Sequence, residues 1–335
     1  MAECQAQGSV VTSWLFLLSG MLSEEFIRGL LYLSLTVVGV PGNVTVIMAF
    51  LIMIYKEKRL LAADAIILHL ACANLLVVSV RCLLETLASF HLADVFGDVG
   101  CKAMIFVFRT SRALSIWLTF LLSAYQCLSI APPGSWWAAA RAILAQYLVF
   151  VFLFLWVLNT SMSSAAILFT FGTKTNSSLP QNTVNVKFCY VNFPTKLSKD
   201  ANGGAQLGRD VVPMALMTLA SLVILVLLYK HSQHVRGLRS GGGAGGGSGG
   251  AEQRAAKVVV VLVTVYVILY GVDNGLWVYT LTVRKTMPSS LISDLRAFFA
   301  SLYAALSPLV IIVSNRKVKS TLRFAAQRKS VLEKN

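Results

Sequence analysis

Apolar runs of twenty residues or more recur along this chain, separated by short polar joints. About 20 consecutive apolar residues make a helix long enough to cross the hydrocarbon core of a bilayer. In lipid, such a helix satisfies its own backbone hydrogen bonds. With 56% hydrophobic and 13% charged residues over 335 positions, the composition lies outside the range of soluble domains. The reading is an all-α, polytopic membrane protein. Its net charge of +15 does not point to nucleic acid, because the basic residues cluster at the ends of the apolar blocks, where topology accounts for them. Six cysteines are too few for a disulfide scaffold.

Residues 1–25 hold a short apolar run, Val10 to Leu22, preceded by Glu3 rather than by a basic cluster. A signal peptide begins with positive charge, so this stretch reads as an exposed or interface-lying extracellular segment. The membrane domain is expected over 26–313. Its first span, about 26–54, contains Pro41-Gly42-Asn43 and is closed by Lys56, Lys58 and Arg59. The second, about 61–88, holds Asn74 in an apolar setting, where an amide most simply bonds to another helix. Arg81 and Glu85 follow, four apart, a spacing that allows an ion pair. A structural pair and a ligand contact both fit it.

Pro132-Pro133 cannot continue a helix and ends the third span. Trp136 and Trp137 then stand where an interface belt belongs. The fourth span covers about 139–171. A long polar segment from Gly172 to Gly208 carries Cys189 and the sequon at Asn176. The sequons at Asn43 and Asn159 lie in apolar blocks, which leaves Asn176 as the expected glycosylation site. The fifth span is expected over about 210–231, followed by a basic, glycine-rich third cytoplasmic loop at 232–253 that reads as flexible linker. The sixth span ends near Val283, with Asp273 and Asn274 in its outer half. The seventh, about 290–313, contains Tyr303 and Ser307-Pro308. In the short basic tail, 314–335, Val318 and Leu322 are four apart among lysines and arginines. This is the pattern of an amphipathic helix on an anionic inner leaflet, so membrane lipids are expected partners.

Seven spans result. The joints after the first, third and fifth, together with the tail, carry the larger share of Lys and Arg, which places the N-terminus outside and the C-terminus inside. Cys101 and Cys189 then both lie on the outer side, where a disulfide persists. Cys72, Cys82 and Cys127 fall inside apolar blocks and read as small buried residues.

The third span, CKAMIFVFRTSRALSIWLTFLLSAYQCLSIAPP, carries the most chemistry. Arg109 and Arg112 are three apart and share one helix face. An intramembrane charge faces a polar cavity or a partner, or it snorkels to the interface. Arg112 lies eleven residues below Cys101, about 16 Å along the helix, which favours the cavity.

Several pieces resemble one family in order: LHLACANLL, FRTSRALSI, LSAYQCLSIAP, LLYKHSQHV, RAAKVVVVLV and LSPLVIIVSNRKV. Together with seven spans they resemble the vomeronasal type-1 receptors and their fish relatives, the olfactory receptor class A-related proteins, a branch of the G-protein-coupled receptors. The resemblance implies a plasma-membrane receptor for a small odorant or pheromone. It further implies a heterotrimeric G protein of Gi/o type as partner and expression in olfactory or vomeronasal neurons. It also implies a Cys101–Cys189 disulfide. No cofactor or metal is expected. His231 and His234 sit three apart at the end of the fifth span, but two ligands alone make a weak metal signal. No nucleophile–base set suggests an enzyme.

Departures from the broader rhodopsin-like pattern accompany the resemblance. Tyr125-Gln126-Cys127 replaces the acidic-arginine triplet, Asn74 replaces an aspartate, and Ser307-Pro308 opens what is elsewhere an Asn-Pro motif. The switch residues are therefore expected at Asn74, Ser307 and Pro308. A G-protein-facing surface is expected at Tyr125, Gln126, His231, Arg236, Lys257 and Arg316, although positive-inside topology explains the basic ones equally well. Arg112, supported by Arg109, is the expected anchor of an anionic ligand. Arg81, Glu85, Asp273 and Asn274 are further candidate contacts. Glu85 is the nearest counter-charge by depth and Asp273 another, and full pairing would turn Arg112 into a structural tie. A bitter-taste-type receptor is the alternative within receptors. A small transporter is the alternative outside them, disfavoured by seven spans and no internal repeat.

Overall fold

The computed structural model describes residues 24–58, 60–90, 97–130, 134, 136–172, 183–186, 189–239, 249–282, 289–315 and 317–323. The chain folds as a helical bundle. The helices are α1 (Glu24–Glu57), α2 (Ala62–Ser89), α3 (Asp98–Ile130), α4 (Leu148–Phe169), α5 (Lys196–Arg239), α6 (Gly249–Thr282) and α7 (Ser289–Ser314). Among the described residues, six helices are long and apolar enough to span a membrane, and α6 contributes a shorter apolar stretch, Val263–Leu276.

Helix α3 sits at the centre and packs against α2, α4, α5 and α6. Its depth follows from its sequence. Ser111, Ser115, Thr119 and Ser123 recur every four residues, all buried, and Thr119 and Ser123 return their hydroxyls to the carbonyl one turn back. Small polar residues let neighbouring helices approach closely in lipid. The main core gathers Leu114, Leu118 and Leu122 with Leu70, Met217, Tyr266 and Tyr303. The outward faces of α4 and α5, with Phe150, Phe154, Val157, Leu219 and Leu222, stay apolar and exposed, as a lipid-facing surface should.

Helices α1 and α7 meet closely. A Cβ on Gly42 would lie 2.9 Å from Pro308 Cγ, and one on Gly39 would lie 3.0 Å from the Ala305 Cα. Asn43 Nδ2 donates to the carbonyls of Gly39 and, across the interface, Ala304. Pro41-Gly42-Asn43 is therefore a docking point for Pro308 and its preceding turn.

Several boundaries differ from the sequence expectation. Helix α5 begins at Lys196 rather than near 210 and continues to Arg239. Hydropathy marks where a helix is apolar, and the polar first turns of α5 give no such signal. Likewise α6 starts at Gly249, so helix enters both ends of the expected 232–253 loop. The fourth span is a column of three pieces: a preceding helix Trp136–Gln146, then Leu148–Ser163 and Ala165–Phe169. Helix α2 contains a wide π turn, Val78–Leu83, with Arg81 inside it. The fold also departs from purely helical. Strands β1 (Thr170–Gly172), β2 (Thr183–Val186) and β3 (Cys189–Asn192) form an antiparallel sheet in the order β1-β3-β2, with Val191 opposite both Thr170 and Val184.

The tail helix at 317–323 is as expected in position, but Val318 is fully buried in the main core and Leu322 packs against it. Its apolar face rests on the bundle. Lys317 Nζ reaches Asp64 Oδ2 of α2 at 2.6 Å, which ties the inner end of α2 to the tail.

Candidate functional site

A disulfide joins Cys101, at the outer end of α3, to Cys189 in β3, with Cα atoms 5.7 Å apart. Both cysteines are fully buried in a cluster with Met104, Ile105, Val191 and Phe193. The sheet is thereby pinned over the top of α3. Asp98 Oδ1 adds a second tie by accepting from the Gly172 N–H at 2.7 Å.

Beneath this cover lies a cavity of ≈ 120 Å³. Its walls are Met104, Ile105, Phe108, Arg109 and Arg112 of α3, Arg81 of α2, Phe193, and α5 from Lys199 to Asp210. Asp273 and Asn274 of α6 and Arg296, Ala297 and Ala300 of α7 close it. A cavity of roughly 150 Å³ accommodates benzene, so this one suits a small molecule. The extra outer turns of α5 supply Asn202, Gly203 and Gln206 to the wall, residues a hydropathy reading assigns to a loop.

The charges of the cavity form a chain across four helices. Arg112 Nη1 lies 2.8 Å from Asp210 Oδ2 of α5, and its Nη2 donates to Asp273 Oδ2 of α6. Arg209 Nε meets the other Asp210 oxygen at 3.2 Å, and Arg296 Nε of α7 meets the other Asp273 oxygen at 3.0 Å. Arg209 also donates to Ser163 of α4 at 3.3 Å. Each carboxylate thus bridges two guanidiniums, an arrangement in which buried charges offset one another's desolvation. Asp210, Arg209 and Arg296 carry no motif that sequence reading could single out. Their polarity sits at the outer end of an apolar block, where solvent contact is the default expectation.

Glu85 does not serve Arg112. It pairs instead with Arg28 of α1 and, at 3.3 Å, with Arg81. Asp294 of α7 joins them, 3.0 Å from Arg28 and 3.8 Å from Arg81. The i,i+4 pair expected between Arg81 and Glu85 forms, inside a four-residue network on the α1–α2–α7 side. Glu85 is fully buried, and it is Arg81 that reaches the cavity wall. Depth alone suggested Glu85 for Arg112, but depth carries no information about which face of α2 the carboxylate leaves from. Asn274 lines the cavity while its amide donates to the Tyr270 carbonyl at 2.9 Å.

Arg109 stands apart. It is half-buried, and its Nη1 is shielded from solvent with no hydrogen-bond partner among the described residues. It shares the cavity wall with Arg112, Arg296, Asp210 and Asp273. Among the described residues, the cavity wall holds four guanidiniums, Arg81, Arg109, Arg112 and Arg296, and Lys199, with two carboxylates, Asp210 and Asp273.

From here the polar path continues inward. The Arg112 guanidinium lies 5.1 Å from the Tyr270 ring centre, a cation–π distance. Tyr270 stacks on Tyr266 at 4.2 Å, and both meet Tyr303 of α7 edge-on. Tyr303 Oη is 3.0 Å from Thr119 Oγ1 of α3. One turn above Thr119 on α3, Ser115 donates to Asn74 Oδ1 at 2.6 Å, and Asn74 Nδ2 donates to Ser307 Oγ of α7, one turn below Tyr303, at 2.8 Å. Asn74 thus bonds to two other helices, beside Pro308.

At the inner end, Tyr125 is half-buried and Gln126 is buried. His231, Arg236 and Lys257 lie on described helix turns, but their side chains, and all of Arg316, fall outside the described residues, as does Asn176. Asn43 and Asn159, the other sequon asparagines, are both buried.

The chain matches the model of the vomeronasal organ pheromone receptor family over residues 26–324. It is 37% identical over 297 residues to olfactory receptor class A-like protein 1 of Danio rerio, covering 88% of this chain and 92% of that protein. Vomeronasal type-1 receptor 3 of Homo sapiens is 30% identical over 217 residues, 64% of this chain and 70% of that receptor. Vomeronasal type-1 receptor 1 of Gorilla gorilla gorilla is 26% identical over 307 residues, 92% and 85% of the two chains. With its bundle of membrane helices and its charged outer cavity, the chain belongs to the vomeronasal type-1 receptor family and is a chemosensory, seven-helix G-protein-coupled receptor of the plasma membrane.

Proposed function

We propose that this receptor is activated by a small acidic odorant or pheromone whose anionic group is held by Arg109 in the outer cavity. The observation that carries this reading is the buried, unpartnered Arg109 Nη1, among the described residues, beside three further arginines and only two acids. An arginine cannot shed its proton to escape burial, so its spare donors favour a carboxylate, sulfate or phosphate, which accepts two parallel bonds. Arg112 is the anchor expected from sequence, but two carboxylates already occupy it. Its role in this reading is to hold α3, α5 and α6 in register beside the ligand. Arg81, Asp273 and Asn274 are wall residues that the rest of the molecule meets.

An acidic ligand near Arg112 and Arg296 competes with Asp210 and Asp273 for the same guanidiniums. That competition gives the ligand a differential affinity for arrangements of α5, α6 and α7, which is what a shift between receptor states requires. The tyrosine stack and the Asn74–Ser307 bond lie between this site and the inner face. Asn74, Ser307 and Pro308 form the switch in this account. A G protein of Gi/o type docks at Tyr125, Gln126, His231, Arg236, Lys257 and Arg316. Expression belongs to olfactory or vomeronasal sensory neurons, and Asn176 carries the glycan.

The test is a panel of acidic, basic and neutral small molecules of matched size, applied to cells expressing the receptor, with G-protein activation as readout. The account predicts agonists among the acids. Activation confined to basic compounds would overturn it.

A further inference from the structure

The excess of guanidinium over carboxylate at the outer cavity exists whether or not a ligand is bound. Among the described residues, three guanidiniums, Arg209, Arg112 and Arg296, alternate with two carboxylates, Asp210 and Asp273, in one chain of ion pairs. Arg109 adds a fourth guanidinium, and its Nη1 is shielded from solvent with no hydrogen-bond partner among the described residues. Burying a charge without a counter-charge is strongly unfavourable, and an arginine stays charged. Asp294 and Glu85 do not supply the balance, since they are engaged by Arg28 and Arg81. The cavity of ≈ 120 Å³ beside Arg109 has room for a single ion.

We infer that the ligand-free receptor holds a small inorganic anion at Arg109, chloride being the abundant one outside cells, and that the acidic group of the ligand displaces it. The inference rests on the reading of Arg109 as an anion anchor, but it concerns the empty receptor. A resident anion neutralises the guanidinium cluster and keeps the ion-pair chain intact until a ligand arrives. It also makes ligand affinity depend on which small anion is present, because displacement subtracts the ion's own binding from the ligand's. The charge relation is the reverse of a cation site at Asn74, whose hydrogen-bond partners are the neutral hydroxyls of Ser115 and Ser307.

The experiment measures the ³⁵Cl line width of sodium chloride solutions containing the purified, full-length receptor, as chloride is titrated and then challenged with thiocyanate. The chain is strongly basic overall, so loose surface association contributes a linear background, and the informative part is saturable broadening. The wild-type receptor is expected to show a saturable excess that thiocyanate removes, that Arg109→Gln lacks and that Arg109→Lys retains in part. Saturable broadening of equal size in wild type and Arg109→Gln would overturn the inference, as would purely linear broadening in wild type. If Arg109→Gln does not fold, the wild-type saturation and thiocyanate competition decide alone. An acidic agonist that needs Arg109, with no saturable chloride broadening, would sink the resident ion and leave the ligand reading intact. Arg109-dependent broadening in a receptor that no acid activates would do the reverse.

Discussion

Arg112 of the third helix and Asp273 of the sixth are bonded directly, while the opposite edge of the same guanidinium lies 2.8 Å from Asp210 of the fifth. One side chain thus closes a triangle between the helices whose relative positions define the outer cavity. Removing the guanidinium leaves Asp210 with Arg209 alone and Asp273 with Arg296 alone, and unlinks α3 from α5 and α6. Each hydrogen bond to a charged group lost in this way costs about 1.5–3 kcal/mol.

Arg112→Ala is therefore expected to lower the thermal stability of the purified receptor and its density at the cell surface. Asp210→Asn on that background should cost less than it does alone, because one of its two guanidinium partners is already gone. Thermal unfolding of the two single variants and the double variant checks this. Additive losses would show that the bridge carries no coupling.

The Cys101–Cys189 bond pins the sheet above the cavity. Peptide mapping without reductant should recover the two cysteines in one linked species. Cys101→Ser should cost about 2–5 kcal/mol of stability, together with most of the surface expression. Linked wild-type peptides with an unaffected Cys101→Ser variant would mean the cover is held by packing and the Asp98–Gly172 bond instead.

Much of this fold is legible in the sequence because hydropathy reports the number and order of membrane helices directly. The Arg81–Glu85 spacing is legible because it depends on position along one helix, and the outer placement of Cys101 and Cys189 because topology follows from the spans, while their pairing is what the family resemblance implies. Pairing between helices is not legible. Asp210 and Arg296 sit at polar helix ends that look solvent-exposed in one dimension, and only the packing of α5 and α7 within the bundle turns them inward. The polar turns that begin α5, from Lys196, continue the helix outward and wall the cavity, a tertiary placement that local hydropathy does not carry.

Asn74 is expected to make the receptor insensitive to sodium. Its amide is satisfied by Ser115 and Ser307, and a neutral amide offers no charge to offset the dehydration of a cation. Agonist potency in sodium and in a bulky organic cation at equal ionic strength should coincide. Asn74→Ala leaves both hydroxyls without this partner and should cost about 1–3 kcal/mol of stability. A sodium-specific loss of potency in the wild type would refute the first expectation.

The close approach of α1 and α7 predicts intolerance to a single methyl group. Gly42→Ala places a Cβ 2.9 Å from Pro308 Cγ, and overpacking of this kind costs about 1–3 kcal/mol. Gly208→Ala, with open space around the new atom, should not reproduce that loss. Melting temperatures of the two purified variants make the comparison, and equal values would show that α1 and α7 separate without penalty.

The central claim is that Arg109, and not the neutralised Arg112, grips the acidic group of the ligand. The measurement is a dose–response curve for an acidic agonist on wild type, Arg109→Gln, Arg109→Lys and Arg112→Ala, at matched surface density. Arg109→Gln should lose about 2–5 kcal/mol of agonist potency, the range for breaking a buried charge pair. Arg109→Lys should recover part of it by keeping the charge without the fork. Unchanged potency at Arg109→Gln, with the loss appearing only at Arg112→Ala, would contradict the account and return the anchor to Arg112.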